Sequence, residues 1–171
     1  TSNLINANVF TAGSWGMPQT LSVFAIDALV DSPQIALTSI GGEAVAVWQR
    51  STGGGDIFVQ ASKLTLGGAW TAPQNLSLAG ANAVFPDVAI DDSQDSVAVW
   101  TRNSSVQAAD FPAGETWSSP FSFVSGGSAN NARVEITPEG YAVAVWEDSD
   151  SESGAFVIKS SYASFFAPFV E

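Results

Sequence analysis

The sequence predicts an all-β protein built from repeated, four-stranded antiparallel units. The first observation is a stretch of alternating valine and alanine that ends in tryptophan, at 44–48, 96–100 and 142–146. The second is the spacing of the three closing tryptophans, which lie 52 and 46 residues apart. The third is another aromatic column, with steps of 55, 47 and 48 residues, at Trp15, Trp70, Trp117 and Phe165.

The repeated stretch is expected to be a strand that is covered on both faces. Successive side chains of a strand point to opposite faces, so Val45 and Val47 share one face and Ala46 and Trp48 the other. Both faces are apolar, which is typical of a strand between two layers. A helix is not expected, because the stretch has no polar face at helical spacing.

The middle repeat shows the order of the strands most clearly. Turn-forming residues separate four short apolar or alternating segments, at 86–90, 96–100, 106–108 and 117–120. Four strands in a repeat of about 40–50 residues are typical of a propeller blade. The sequence therefore predicts a β-propeller of four-stranded antiparallel blades.

Residues 1–171 are expected to form a single domain. The repeats divide it into about three and a half blades. Three full blades are predicted at 33–77, 86–125 and 132–170, and residues 1–22 match only the outer half of a blade. This number is below the usual four to eight blades. We therefore expect an incomplete ring that is completed by further sequence or closed by association of chains.

Composition excludes several classes of function. The formal net charge is −12, and five Lys and Arg residues are too few for a nucleic-acid surface or an anionic membrane surface. The absence of Cys and His excludes thiol nucleophiles, cysteine zinc sites and Ser-His-Asp chemistry. No apolar run is long enough to span a membrane. The Ser-, Thr-, Asn- and Gly-rich composition favours an exported bacterial protein, extracellular or at the cell surface.

The repeat resembles the blade of bacterial propeller proteins related to the sialidase-like, or BNR-repeat, group. The shared pattern is P-x-V-A-I, as at 86–90, then A-V-A-V-W, as at 44–48, then V-Q-A-S, at 59–62, and W-x-x-P-x-x-L-S, at 70–77. The resemblance implies the propeller fold over nearly the whole chain. The Asp box of sialidases, S-x-D-x-G-x-x-W, is not present at any tryptophan, so the resemblance does not imply an activity.

The outer aromatic column supplies the first candidate ligand residues. Trp15, Trp70 and Trp117 each follow a turn, and we expect them to be partly exposed, where an indole ring could stack on a sugar. The alternative is packing between blades, which is the expected role of the inner tryptophans at 48, 100 and 146.

Three charged residues are further candidates for ligand binding. Arg50 and Arg102 occupy equivalent places after the inner tryptophan and could bind a carboxylate or sugar hydroxyls. The alternative is pairing with a local carboxylate such as Asp56. Glu135 replaces the alanine found at 36 and 89, and we expect it to face the central channel.

The loop 147–154 is a weak candidate for calcium. Asp148, Asp150 and Glu152 alternate as oxygen ligands would, but no bidentate Glu follows at the twelfth position. A solvated loop is the alternative. No cofactor is otherwise expected.

The favoured function is a non-catalytic binding module for glycans or proteins. One alternative is a fragment of a sialidase-like glycoside hydrolase, which would have to use all three arginines, at 50, 102 and 133, with Tyr141 or Tyr162. No catalytic constellation supports it. The other alternative is a structural repeat of a larger surface protein, either part of a longer chain or a homo-oligomer.

Overall fold

The computed structural model describes residues 3–23, 29–40, 42–51, 53, 55–65, 67–123, 128–150, 152–164 and 167–170, with side chains up to 163. Phe165, in the predicted aromatic column, lies outside them. The described residues form strands and turns and no helix, and the predicted all-β class is confirmed. This part of the chain accordingly contains no helix that could cross a membrane.

The N-terminal residues 3–23 form a half-blade of four very short strands. They are β1 (Asn6–Ala7), β2 (Phe10–Thr11), β3 (Ser14–Trp15) and β4 (Gln19–Thr20). Strand β1 pairs with β4 and β2 pairs with β3, both antiparallel. The half-blade is therefore one long hairpin, interrupted between its two paired segments.

Three four-stranded antiparallel sheets follow, each with its strands in sequence order. The first blade contains β5 (Val30–Leu37), β6 (Ala44–Ser51), β7 (Ile57–Leu64) and β8 (Gln74–Asn75). The second contains β9 (Ala83–Ile90), β10 (Ser96–Arg102), β11 (Ser105–Phe111) and β12 (Phe121–Ser122). The third contains β13 (Asn130–Ile136), β14 (Tyr141–Ser149), β15 (Phe156–Ser164) and β16 (Ala167–Val170).

The innermost strand of each blade begins ahead of the predicted start and contains a β-bulge. The ladder to the next strand shifts register at the bulge in all three blades. One residue at each bulge has a positive φ, at Ser32 (50°), Phe85 (55°) and Asn131 (54°). An extra residue in the left-handed region increases the local twist, and it hides the first part of the strand from a search for simple alternation.

Neighbouring blades pack face to face, and the core lies in these seams. We call the side of a blade turned toward the next blade its forward face and the opposite side its rear face. Val45 and Val47 of the first blade meet Ala98 and Trp100 of the second. The rear-face Trp48 packs against the half-blade. The prediction that the repeated strand is covered on both faces is therefore confirmed for β6.

The second and third blades meet through the same pairing of faces. Val97 and Val99 of the second blade pack against Ala142, Ala144 and Trp146 of the third. The third blade departs from the prediction, because the forward-face residues Val143 and Val145 are exposed. No further sheet lies over them in the described chain, so β14 is covered on its rear face alone.

Candidate functional site

The inner tryptophans are structural. Trp48 and Trp100 are fully buried, and each donates its indole Nε1–H to a glutamine of the next strand, Gln60 or Gln107, at 3.2 Å. Trp146 is also buried and contacts Phe123 edge to face, with ring centroids 5.7 Å apart. These indoles pack in the seams, as expected, and present no face to a ligand.

The outer tryptophans lie on the rear faces of their blades, and their exposure depends on whether a preceding blade covers that face. Trp70 and Trp117 are partly buried and pack against the seam cores. Trp15, the equivalent residue of the half-blade, is 66% exposed and contacts only Phe10 among aromatic rings of the described chain. Sugar stacking stays a prediction for all three, and Trp117 lines a groove that is described below.

The two equivalent arginines do not pair with carboxylates among the described residues. Arg102 donates from an Nη atom to the carbonyl of Ala79 at 2.9 Å, and Asp56 accepts instead from the amide of Gly80 at 2.6 Å. The Nε atoms of Arg50 and Arg102 are buried without a hydrogen-bond partner. The expected pairing with Asp56 is therefore wrong, and ligand binding by Arg50 and Arg102 stays a prediction.

Glu135 lies on β13, the innermost strand of its blade, and its expected position on a central channel stays a prediction. It pairs directly with Val143 across β13 and β14, and directly paired residues share one face of a sheet. Its carboxylate is exposed on the forward face of the third blade. The equivalent Ala89 is buried in the seam between the second and third blades, so Glu135 has the position of a seam residue on a face that no described blade covers.

The calcium candidates are not gathered into a site. Asp148 is buried, with its carboxylate 2.9 Å from Lys159 Nζ and 3.0 Å from the amide of Ser128. The hydrogen bond from Lys159 holds the pKa of Asp148 below its ordinary value. Asp150 accepts from Ser153 Oγ at 2.7 Å and from the amide of Glu152. No group of three metal-ligating side chains occurs among the residues described.

A cleft of about 550 Å³ opens where the first blade meets the second. Its walls combine charged, amide and aromatic groups, namely Glu43, Lys63, Gln74, Gln94, Phe111 and Glu115. The walls of this cleft are thus formed by residues that prediction from sequence did not single out.

An ion pair beside an aromatic ring forms part of the cleft wall. Lys63 Nζ is 4.6 Å from the centroid of the Phe111 ring and 4.0 Å from Glu43 Oε2. Both charged side chains are largely buried, and Glu43 Oε2 has no hydrogen-bond donor. A sugar hydroxyl group in the cleft could accept from the Lys63 ammonium and donate to the other oxygen of the Glu43 carboxylate.

A smaller groove of about 280 Å³ continues along the same seam. It is lined by residues 74–78 of the first blade and 116–120 of the second, including Trp117. Gln74 lines both the cleft and the groove. The two together form a continuous surface at the outer part of the seam.

The sequence does contain a signal for the cleft, but only after the blades are aligned by register. Lys63 pairs with Val45, and its equivalents are Asp110, opposite Val97, and Tyr162, opposite Val143. A cation therefore occurs once at this forward-face position. Its partner Phe111 belongs to the next blade, and no spacing within one repeat brings the two together.

Comparisons with known proteins support the fold. No family model and no curated protein sequence matches the chain. Among solved structures, the Hadza microbial sialidase Hz136 aligns with a TM-score of 0.57 and 17% identity, over 78% of this chain and 35% of its own. Trypanosoma rangeli sialidase, solved with sialic acid, aligns with a TM-score of 0.55 and 14% identity, over 96% of this chain and 32% of its own.

An endo-arabinase is similar to a comparable degree. The enzyme from Bacteroides thetaiotaomicron VPI-5482 aligns with a TM-score of 0.55 and 12% identity, over 91% of this chain and 66% of its own. The chain thus spans between about a third and about two thirds of the length of these proteins. The predicted likeness to sialidase-like propellers is confirmed for the fold, and the chain forms a partial propeller.

Proposed function

We propose that the chain is a non-catalytic, carbohydrate-binding propeller segment. The observation that supports this most is the cleft between the first and second blades, where Glu43, Lys63 and Phe111 come together. This combination suits a sugar, since sugar hydroxyl groups bind charged or amide groups and sugar C–H faces pack on aromatic rings. Two of the similar structures are sialidases, one of them with sialic acid, which suggests a glycan as the ligand class.

The groove beside Trp117 extends the proposed site. A glycan with its first unit in the cleft could place a second unit against Trp117, because Gln74 lines both surfaces. The extracellular location expected from composition fits such a ligand and is part of the proposal.

A glycan-array screen followed by titration calorimetry tests this function. Glu43→Gln keeps the shape of the side chain and removes its charge, and we expect about tenfold weaker binding, the usual effect of losing a charged hydrogen bond. Trp117→Ala should weaken the binding of oligosaccharides more than the binding of monosaccharides. Trp15→Ala, on an exposed ring outside the cleft, is the matched control and should leave affinity unchanged. Binding that Trp15→Ala weakens and Glu43→Gln leaves intact would contradict the proposed site.

A fragment of a sialidase-like hydrolase is the second candidate, and the comparisons favour it as much as a binding module. The arrangement of arginines counts against it. Arg50 and Arg102 lie at equivalent places in two neighbouring blades, and Arg133 is exposed on the inner strand of the third. A fluorogenic glycoside incubated with the folded chain distinguishes the two functions, since turnover lost in Glu43→Gln would indicate an enzyme.

A further inference from the structure

The half-blade has the register of an outer strand pair. The third strand of a complete blade pairs with the fourth through Gln60 and Asn75 in the first blade and through Gln107 and Ser122 in the second. In the half-blade, Asn6 pairs with Thr20 in the same way. Two hydrogen bonds recur at the same length. The amide of Leu21 donates to Ile5 at 2.8 Å, and the amide of Ile5 donates to Ser22 Oγ at 3.0 Å.

The same two hydrogen bonds occur in the first blade. There Leu76 donates to Val59 at 2.8 Å and Val59 donates to Ser77 Oγ at 3.0 Å. Ile5 is therefore equivalent to Val59. Because Ile5 uses its amide and carbonyl toward the outer strand, the amides of its neighbours on β1 point to the other edge.

That other edge of β1 lacks a strand. In complete blades β7 pairs with β6, and β11 pairs with β10. Among the residues that the structure describes, no strand pairs with β1 on this side. The backbone N–H groups of Asn6 and Asn8 are directed to this unpaired edge, and both residues are exposed.

An apolar surface lies beside the unpaired edge. Ile35 and Leu37, on the rear face of β5, are 55% and 62% exposed. Their equivalents in the second blade, Val88 and Ile90, are only 6% and 8% exposed, because β9 packs on the inner strands of the first blade. Ile35 and Leu37 therefore have the positions of seam residues without the neighbouring strands that cover a seam.

We propose that the half-blade binds a β-hairpin, the inner strand pair of one further repeat of this type. One strand would pair with β1, and its small and β-branched side chains would cover Ile35 and Leu37, as Val45 and Val47 cover the rear face of the second blade. Continuity with the two seams already present in the chain identifies this partner. A second copy fits less well, because each of its inner pairs already has outer strands.

Fusing a copy of residues 83–101 directly ahead of Thr1 tests the proposal. Ile5 is equivalent to Val106, so Thr1 is equivalent to Arg102. Joining residue 101 of the copy to Thr1 therefore keeps the strand register and the turn length of the second blade. We expect amide hydrogen exchange at Asn6 and Asn8 to slow at least tenfold. The same fusion with Leu37→Asp is the matched control and should lose this protection. Leu37→Asp is tolerated in the unfused chain, since the side chain is exposed.

Two results would overturn the proposal. One is a folded, monomeric fusion in which Asn6 and Asn8 exchange as fast as in the unfused chain. The other is an unfused chain that already protects these amides as a concentration-dependent dimer, which would assign the edge to a second copy. If the fusion does not fold, titrating the unfused chain with a peptide of residues 83–102 gives the same readout by chemical shift. Unchanged shifts at Asn6 and Asn8 would count against the hairpin.

Discussion

In the first two blades the inner tryptophan belongs to a hydrogen-bond network, and in the third blade an ion pair takes the place of this network. Gln60 accepts from Trp48 and donates onward to Asn75 at 2.7 Å, and Gln107 links Trp100 to Ser122 in the same way. In the third blade the residue paired with Trp146 is Lys159. Lys159 bonds Asp148, and the Nε1 of Trp146 is buried without a partner.

Asp148 should make the stability of the chain depend on pH. The hydrogen bond from Lys159 lowers the pKa of Asp148, so its charged form stabilises the fold above the ordinary aspartate pKa of about 3.9. This contribution is lost as the pH falls through the lowered value. We expect Asp148→Asn to be less stable than the native chain at pH 7, with the difference shrinking between about pH 4 and pH 2.

Urea unfolding across this pH range measures the difference. The comparison with Asp148→Asn is needed because burial raises the pKa of Asp87 and Asp91, which contribute with the opposite sign. Lys159→Gln is the matched variant and should remove the same pH dependence. A stability difference that stays constant from pH 7 to pH 2 would show that the ion pair does not contribute.

At the scale of strands, two equivalent valines differ in whether a neighbouring blade covers them. Val97 is 1% exposed in the seam between the second and third blades, whereas Val143, at the same place in β14, is 42% exposed. An aspartate carboxylate in place of Val97 would be buried without a partner, which is costly, whereas one in place of Val143 would be hydrated. Strand sequence alone therefore does not set the energetic importance of these valines.

Val97→Asp and Val143→Asp test this difference directly. We expect Val97→Asp to lower the free energy of unfolding by more than about 3 kcal/mol or to prevent folding, and Val143→Asp to change it by less than about 1 kcal/mol. Denaturant unfolding with tryptophan fluorescence gives both values. Equal losses would mean that the forward face of the third blade is covered in solution.

At the scale of the whole molecule, like charges oppose folding. The net charge is −12, and two ion pairs, Lys63 with Glu43 and Lys159 with Asp148, occur among the described residues. Salt screens charges over about 10 Å at 0.1 M and over about 30 Å at 0.01 M. We expect the thermal midpoint to rise by several degrees between about 10 mM and 300 mM NaCl, because repulsion between exposed carboxylates is weakened.

Differential scanning calorimetry at neutral pH measures this rise. Repeating the scans near the isoelectric point of 4.1 provides the control, since the net charge is then close to zero and the effect should disappear. A midpoint that falls with salt at neutral pH would indicate that attractive pairs outweigh the repulsion.

The sequence by itself determined the class of fold, the blade and the faces of its main strand. Alternation at 44–48 is a local property of a strand, and recurrence at nearly constant spacing is enough to define a repeat. It also predicted that the inner tryptophans pack in seams, because a strand that is apolar on both faces needs cover on both. The bulges at Ser32, Phe85 and Asn131 were missed, because an extra residue breaks the alternation.

Only the tertiary structure decided which faces are covered and which residues meet across a seam. Val97 and Val143 both begin the sequence V-A-V-W, and the presence of a neighbouring sheet separates the core residue from the surface residue. Lys63 and Phe111 are 48 positions apart in two blades, and packing brings the ammonium within 4.6 Å of the ring centroid. Contacts between blades depend on how sheets stack, and a repeat read along the chain contains no information about its neighbour's face.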